Sequence, residues 1–294
     1  MDVVLIPCWR RPEMLWHCLE HIKRAEGAEA MHYIFRIDTG YSPELKTVID
    51  GFPFSHELAE TPRTMHRKTK QSYSVLTGYR LAAQKSDGLV FLIEEDIFIA
   101  TDFFKWHKAV HAQQPDLFCS IAVKNHNRTI NLEGADDEYY LTTLDYCSWG
   151  VCFDVVKLMN FVLPMASQGY YNDPHGFMRL NFRGAPINEG HVEQDGLIRR
   201  IQWWHGMDLP IAYPFQARAY HAGLYGYNRG NPPQGSLSKR IEYVAQTCYS
   251  HQTMRILAER PEYVDDSEPI ELNAQPWQEL KQVILDLDQH PRRV

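Results

Sequence analysis

The sequence has no hydrophobic run long enough to cross a membrane and no cysteine pair of the kind that binds zinc. A membrane-spanning helix needs about 20 apolar residues, and no stretch of the chain approaches that length. None of the six cysteines belongs to a C-x-x-C pair, which argues against a zinc knuckle or a redox pair. The first apolar run, residues 3–7, is too short for a signal peptide. We therefore expect a cytoplasmic protein with reduced thiols.

Long blocks of one charge sign are also missing. The formal net charge is −7, and acidic and basic residues are interspersed along the chain. This excludes a protein whose whole surface binds nucleic acid, although a local basic groove remains possible. No internal repeat and no low-complexity segment is present, so repeat architectures are excluded as well.

What the sequence does contain is an alternation of apolar strands and amphipathic helices. Continuous apolar runs at residues 3–6 and 89–93 predict buried parallel strands, and residues 33–37, apolar except for Arg36, predict another strand. Helical spacing of apolar residues follows at residues 13–23 and 68–83. The alternation predicts an α/β fold with a mostly parallel sheet flanked by helices.

Chemically active side chains stand where the predicted strands end. Pro7 ends the first strand, Asp38 follows the second, and Glu94-Glu95-Asp96 follows the third. In open α/β sheets, ligands bind at the carboxyl ends of the strands. Three adjacent carboxylates repel one another unless a cation neutralises them, and a hard divalent ion such as Mn²⁺ or Mg²⁺ does so. The alternative interpretation is a solvated acidic turn.

The residues around this triplet resemble those of GT-A nucleotide-sugar glycosyltransferases. Residues 91–104, FLIEEDIFIATDFF, are similar to the variant Asp-x-Asp motif of the N-acetylglucosaminyltransferase I type. Residues 3–13, VVLIPCWRRPE, resemble the opening of that fold, and residues 35–38, FRID, resemble its second strand. The resemblance implies a GT-A (Rossmann-like) sheet, a UDP-sugar donor and a Mn²⁺ or Mg²⁺ cofactor.

The resemblance also implies roles for individual residues. Asp96 is the expected metal ligand, and His221 in the segment YHAG is a second one, although a lone histidine at a strand end is more often only hydrogen-bonded. Asp195 in the segment EQD is the expected catalytic base, with Glu193 in reserve; the alternative for Asp195 is a helix cap. The expected donor-binding residues combine family matches with cations near strand ends: Pro7, Arg10, Asp38, Lys68, Glu94, Glu95, Trp149 and Gly150.

The resemblance covers residues 3 to about 230 and suggests where the chain divides. We expect a GT-A domain at residues 1–235, with a nucleotide-sugar half at about 1–124 and an acceptor half at about 125–235. Residues 236–294 are expected to form a C-terminal helical extension. Residues 167–189 are rich in Gly, Asn and Pro, which predicts a long, partly mobile loop.

Together these expectations predict an enzyme that transfers a sugar from a UDP-sugar to a hydroxyl group. The acceptor is a glycan, a small molecule or a modified DNA base. An inverting reaction would use Asp195 as base, whereas a retaining one needs no such base. The acidic net charge counts against a hydroxymethyl-pyrimidine DNA-base glycosyltransferase. A nucleotidyltransferase should have a glycine-rich loop after its first strand, and residues 7–12 contain no glycine. A non-catalytic carbohydrate- or nucleic-acid-binding module is the third alternative.

Overall fold

A computed structural model describes residues 1–38, 40–62, 67–123, 139–143, 146–223 and 234–248, except for the side chains of residues 67–69 and 207. Its strands are β1 Val3–Cys8, β2 His32–Ile37, β3 His56–Glu60, β4 Leu89–Leu92, β5 Ile97–Ile99, β6 Cys119–Ile121, β7 Tyr139–Thr142, β8 Val151–Asp154, β9 Ile211–Pro214 and β10 Ala219–His221. Its helices are α1 Pro12–Arg24, α2 Pro43–Asp50, α3 Arg67–Lys85, α4 Phe103–Gln113, α5 Val155–Lys157, α6 Gln168–Asn172, α7 Pro174–Asn181, α8 Gln194–His205 and α9 Leu237–Cys248. A π-helical turn, Leu158–Val162, continues α5.

Eight of these strands form one sheet in the order β3-β2-β1-β4-β8-β6-β9-β7. Strands β3, β2, β1 and β4 pair with one another in parallel, and β6 is parallel to β9. Strand β8 is antiparallel to β4 and β6, and β7 is antiparallel to β9. The predicted α/β fold with a mostly parallel sheet and flanking helices is therefore confirmed. Strands β5 and β10 form a separate antiparallel pair.

The register of the central strands places their carboxyl ends at one edge of the sheet. Leu5 of β1 pairs with Ile34 of β2 on one side and with Leu92 of β4 on the other. The amide of Ile93 continues the pairing and donates to the carbonyl of Leu5 at 3.0 Å. Parallel pairing in this register brings the ends of β1, β2 and β4 side by side, as the apolar runs predict.

Close helix packing explains one glycine of the core. Helix α3 lies against β1 and β2, and a Cβ built at Gly78 would stand 2.8 Å from the Leu5 methyl carbons. A larger residue at this position would push α3 away from the sheet. Glycine is otherwise unfavourable inside a helix, by about 1 kcal/mol relative to alanine, so packing explains its presence here.

The described part of the C-terminal region packs against α1. Helix α9 contacts α1 through His17, whose Nε2 lies 2.9 Å from the carbonyl oxygen of Ile241. Arg240 of α9 also pairs with Glu13 and with Glu44 of α2. The division at residue 235 stays a prediction, and residues 249–294 of the expected helical extension lie outside the described residues. None of the described helices is both long and apolar enough to cross a membrane.

The expectation of a long loop at residues 167–189 was wrong, because this segment contains α6 and α7. Ser167 caps α6 by accepting from the amide of Tyr170, and Asp173 caps α7 by accepting from the amide of Gly176 at 2.9 Å. Buried Tyr170 and Met178 anchor the two helices. The strand end expected at Ile6 was also wrong, since β1 continues through Pro7 to Cys8.

Candidate active site

The acidic triplet forms a tight turn between β4 and β5. The amide of Ile97 donates to the carbonyl of Glu94 at 2.9 Å and closes the turn. Glu94 is half-buried, whereas only 1% of Glu95 and 5% of Asp96 is exposed. The sequence places the triplet correctly at the strand end, but two of its three carboxylates are not solvated.

The charge of the triplet is compensated by Arg11, which lies between β1 and α1. Its Nε donates to Oε1 of Glu95 at 2.6 Å, and its Nη1 donates to Oδ2 of Asp96 at 2.7 Å. The backbone amide of Trp9 donates to the other oxygen of Glu95 at 2.6 Å. The repulsion that points to a metal in the sequence is therefore relieved, in part, by a cation of the chain itself.

Burial and charge act differently on the three carboxylates. Burial raises the pKa of Glu95 to about 7, although Arg11 and the Trp9 amide oppose this rise. Burial also raises the pKa of Glu94, and the neighbouring Asp96 and Asp195 add to the effect. For Asp96, burial opposes ionisation, but His221 and Arg11 outweigh it and hold the pKa of this carboxyl well below its usual range. Asp96 is therefore the carboxylate of the turn that keeps its charge.

Strand β10 carries His221 to the acidic turn. His221 pairs with Ile97 of β5, and the next amide, that of Ala222, donates to the carbonyl of Asp96 at 2.8 Å. The Nε2 of His221 then lies 3.5 Å from Oδ2 of Asp96. The two residues expected to hold a metal are 125 positions apart in the chain and adjacent in the fold.

Two further residues of the expected site pack around His221. The indole of Trp149 stacks on the imidazole of His221 with ring centroids 4.3 Å apart. Gly150 has a φ of +66°, and a Cβ there would stand 3.0 Å from the Cβ of Ala219 in β10. Backbone conformation and close packing therefore both require glycine at this position, which gives it a structural reason independent of donor binding.

Asp195 lies in the first turn of α8 but does not cap it. The N-cap residue is Glu193, whose side chain makes no capping hydrogen bond. Oδ2 of Asp195 instead accepts from the hydroxyl of Ser148 at 3.2 Å, while its Oδ1 is buried without a hydrogen-bond partner among the described residues. Burial raises the pKa of Asp195 to about 6, and the charge of Arg199 and the Ser148 hydrogen bond limit the rise.

The remaining expected residues lie in or just after β1 and β2, except for one whose side chain is outside the described residues. Asp38 follows β2 and pairs with Lys70, whose Nζ is 3.5 Å from its Oδ1. Pro7 lies within β1, and Arg10 is exposed next to Arg11. The side chain of Lys68 lies outside the described residues.

Three residues that contact the site were missed by the sequence analysis. Arg11 stands beside Arg10 in the sequence, and only the strand-to-helix geometry shows which of the pair faces the acidic turn. Lys70 lies two positions after Lys68 on α3 and pairs with Asp38, whereas Lys68 stays a prediction. Ser148 precedes Trp149 and contacts Asp195 47 residues later, and no sequence signal indicates that pairing.

The donor set around Asp96 fits a hard divalent cation. A carboxylate oxygen and an imidazole nitrogen are both accepted by Mn²⁺, and Asp96 keeps its negative charge. Within the described ranges, no group of three or more His, Cys, Asp or Glu side chains converges as a metal site, at Asp96 or anywhere else. The chain would therefore supply two ligands, Asp96 and His221, and leave positions for phosphate oxygens and water.

Comparison with known proteins gives likeness in structure alone. No protein-family model matches the chain, and no curated protein matches its sequence significantly. Among solved structures, TarS of S. aureus is 11% identical with a TM-score of 0.48; the match covers 87% of this chain and 42% of TarS. The mannosyltransferase PcManGT from Pyrobaculum calidifontis, in complex with GDP-Man and Mn²⁺, is 11% identical with a TM-score of 0.41, over 61% of this chain and 52% of that one.

A 4-diphosphocytidyl-2C-methyl-D-erythritol synthase from Anaerococcus prevotii is matched to a similar degree. It is 12% identical with a TM-score of 0.44, over 83% of this chain and 96% of that one. The chain thus spans less than half the length of TarS and about half that of PcManGT. All three TM-scores lie below 0.5, so these likenesses carry no argument about activity, and the function must be argued from the site itself.

Proposed function

We propose that the protein is a metal-dependent glycosyltransferase of the GT-A type that moves a sugar from a UDP-sugar to an acceptor hydroxyl with inversion. One observation carries the proposal: the fold brings Nε2 of His221 to 3.5 Å from Oδ2 of Asp96 at the carboxyl edge of the sheet. The family resemblance of residues 91–104 assigns the metal to this same aspartate. We also propose that the acidic motif is of the N-acetylglucosaminyltransferase I type.

Asp195 is the proposed base. Its Oδ2 is held by Ser148, so the free rotation of the carboxylate is restricted, and its Oδ1 is left to accept a proton. A pKa of about 6 keeps the group mostly ionised at neutral pH while making it more basic than an ordinary aspartate. Asp195 would take the proton of the acceptor hydroxyl as its oxygen attacks the anomeric carbon.

Asp96 and His221 would hold the divalent cation, Mn²⁺ or Mg²⁺. The bound ion supplies electrostatic stabilisation of the negative charge that develops on the leaving diphosphate. Trp149 keeps the imidazole plane fixed by stacking, and Arg11 keeps the acidic turn in place through Glu95. Asp38, which follows β2, and Lys70 and Lys68 of α3 are proposed to bind the nucleoside part of the donor.

A thermal-shift screen tests the donor directly. Purified protein is melted with UDP-sugars and GDP-sugars, each with Mn²⁺ and with EDTA. A ligand that binds only the folded state stabilises it by about 2.7 kcal/mol at 100 times its Kd, so one donor should stand out with Mn²⁺ and lose its effect with EDTA. Stabilisation by none of the nucleotide sugars, under either condition, would refute the proposed donor class.

The nucleotidyltransferase alternative is less well supported by the site. The connection between β1 and α1 is the short segment Trp9–Arg10–Arg11, which contains no glycine and turns Arg11 towards carboxylates. In the described part of the chain, Oδ1 of Asp195 is buried without a hydrogen-bond partner. A non-catalytic binding module gives no reason for this arrangement, whereas a catalytic base does. A modified DNA base stays among the possible acceptors.

A further inference from the structure

Arg11 forms an ion pair with Asp96, the carboxylate that would bind the proposed metal. Its guanidinium spans Glu95 and Asp96 with contacts of 2.6 and 2.7 Å, and the side chains are 15%, 2% and 7% exposed, respectively. Ion pairs with so little solvent are screened weakly, so the arrangement is held firmly. A cation that approached Asp96 would meet a positive charge already in contact with it.

The two contacts of Arg11 differ in how they are fixed. The contact with Glu95 is doubly anchored, since the other oxygen of Glu95 accepts from the amide of Trp9. The backbone of Arg11 is also fixed, because it joins the end of β1 to Pro12 at the start of α1. The contact with Asp96 is made by Nη1, at the far end of the side chain. Because the guanidinium is a rigid planar fork, release of Asp96 requires the Arg11 side chain to turn as a unit, while Glu95 keeps the hydrogen bond from Trp9.

The contested atom is Oδ2 of Asp96. Both Nη1 of Arg11, at 2.7 Å, and Nε2 of His221, at 3.5 Å, face this oxygen. A cation shared by Asp96 and His221 would stand close to the guanidinium, which repels it. A diphosphate offers Arg11 another acceptor, because phosphate oxygens accept hydrogen bonds from a guanidinium as strongly as carboxylate oxygens do.

We infer that Arg11 is a resident counter-charge that holds Asp96 until a diphosphate arrives, so that the divalent cation and the diphosphate bind together. The inference rests on the proposed function, because it concerns the same metal site. In the free protein Arg11 neutralises Asp96 and weakens binding of the cation. With a nucleoside diphosphate present, the guanidinium of Arg11 turns as a whole to the phosphate oxygens, and Asp96 becomes available.

Mn²⁺ binding, measured by electron paramagnetic resonance with and without UDP, tests this inference without any assay of sugar transfer. For the wild type we expect weak binding of Mn²⁺ alone and much tighter binding with UDP. In Arg11→Gln, Mn²⁺ alone should bind about tenfold or more tightly than to the wild type, within the ~5–150-fold range of typical coupling between sites. UDP should therefore increase the Mn²⁺ affinity of this variant less than that of the wild type. Because coupling is reciprocal, Mn²⁺ should also increase the UDP affinity less.

Two controls keep the result interpretable. Arg11→Gln leaves Glu95 buried without its partner, so the double variant Arg11→Gln/Glu95→Gln is compared with Glu95→Gln, and the same tightening is expected. Unchanged or weaker binding of Mn²⁺ alone in both Arg11 variants overturns the inference. Asp96→Asn reports on the proposed function instead: if it binds Mn²⁺ as well as the wild type with and without UDP, the metal site itself is wrongly assigned.

Discussion

The indole of Trp149 lies parallel to the imidazole of His221, with an interplanar angle of 9° and ring centroids 4.3 Å apart. The stack fixes the plane of the imidazole, whose Nε2 faces Oδ2 of Asp96. Trp149 begins the segment that enters β8, whereas His221 ends β10, so the stack also connects the large sheet to the two-stranded sheet. This contact makes Trp149 a positioning residue for the proposed metal ligand.

Trp149→Leu should weaken Mn²⁺ binding in the presence of UDP, because the imidazole loses the surface that orients it. We expect a roughly tenfold rise in the Kd for Mn²⁺, which corresponds to ~1.4 kcal/mol. Trp149→Phe keeps an aromatic face and should stay close to the wild type. A leucine variant with an unchanged Mn²⁺ titration and a lowered melting temperature would show that the stack serves stability alone.

Gly223→Ala should damage the same pair from the other side. A Cβ at this position would stand 2.8 Å from Oδ2 of Asp96 and 2.9 Å from Nε2 of His221, closer than such atoms pack. We expect a roughly tenfold or greater loss of Mn²⁺ affinity, again ~1.4 kcal/mol or more. Gly169→Ala is the matched control, since its Cβ would make only ordinary contacts at 3.7 and 3.8 Å. Equal Mn²⁺ affinities in the two variants would contradict the assignment of the pair.

Asp195→Asn should remove the base and leave donor binding intact. Loss of a general base costs about 10²–10⁴-fold in rate, and the amide keeps the size of the side chain and can still contact Ser148. The measurement is kcat for sugar transfer beside the Kd for UDP. A loss of less than tenfold, with UDP binding unchanged, would exclude Asp195 as the base and make Glu193 the next residue to replace.

The same variant should change how stability depends on pH. In the unfolded chain Asp195 titrates near the ordinary aspartate value of about 3.9, whereas in the folded protein its pKa is raised to about 6. The folded state thus holds this proton more tightly, and the stability that Asp195 contributes below pH ~4 is lost as the pH rises to about 6.

Melting temperatures of the wild type and of Asp195→Asn at pH 4.5 and pH 7.5 measure this effect. Because the variant lacks the titrating group, its melting temperature relative to the wild type should be higher at pH 7.5 than at pH 4.5. An equal difference at the two pH values would mean that the carboxyl is not held in its protonated form by burial.

The sequence predicts the central sheet well, because buried parallel strands are continuous apolar runs. Residues 3–6 and 89–93 follow this rule, and their shared edge follows from the parallel register. Helices α6 and α7 escape prediction because each is short, and their caps, Ser167 and Asp173, are also ordinary loop residues.

Some residues of the site can likewise be predicted from the sequence, and others cannot. The acidic turn is visible in the sequence because it follows a strong strand, and the family resemblance places His221 beside it. The contacts of Arg11 with Glu95 and of Lys70 with Asp38 depend on which side of a turn or a helix faces inward, and no periodic pattern in the sequence shows this. The contact of Ser148 with Asp195 depends on tertiary packing.

The most direct test of the account is the release of UDP from a UDP-sugar, with Mn²⁺ and with EDTA, by the wild type and by Asp96→Asn. We predict Mn²⁺-dependent release by the wild type and a loss of at least about 10³-fold in the variant, as expected when an electrostatic stabiliser of the leaving group is removed. Asp50→Asn, at an exposed position on α2, is the control and should keep full activity. Release by Asp96→Asn at the wild-type rate in EDTA would contradict the central claim that this aspartate holds the metal of a glycosyltransferase.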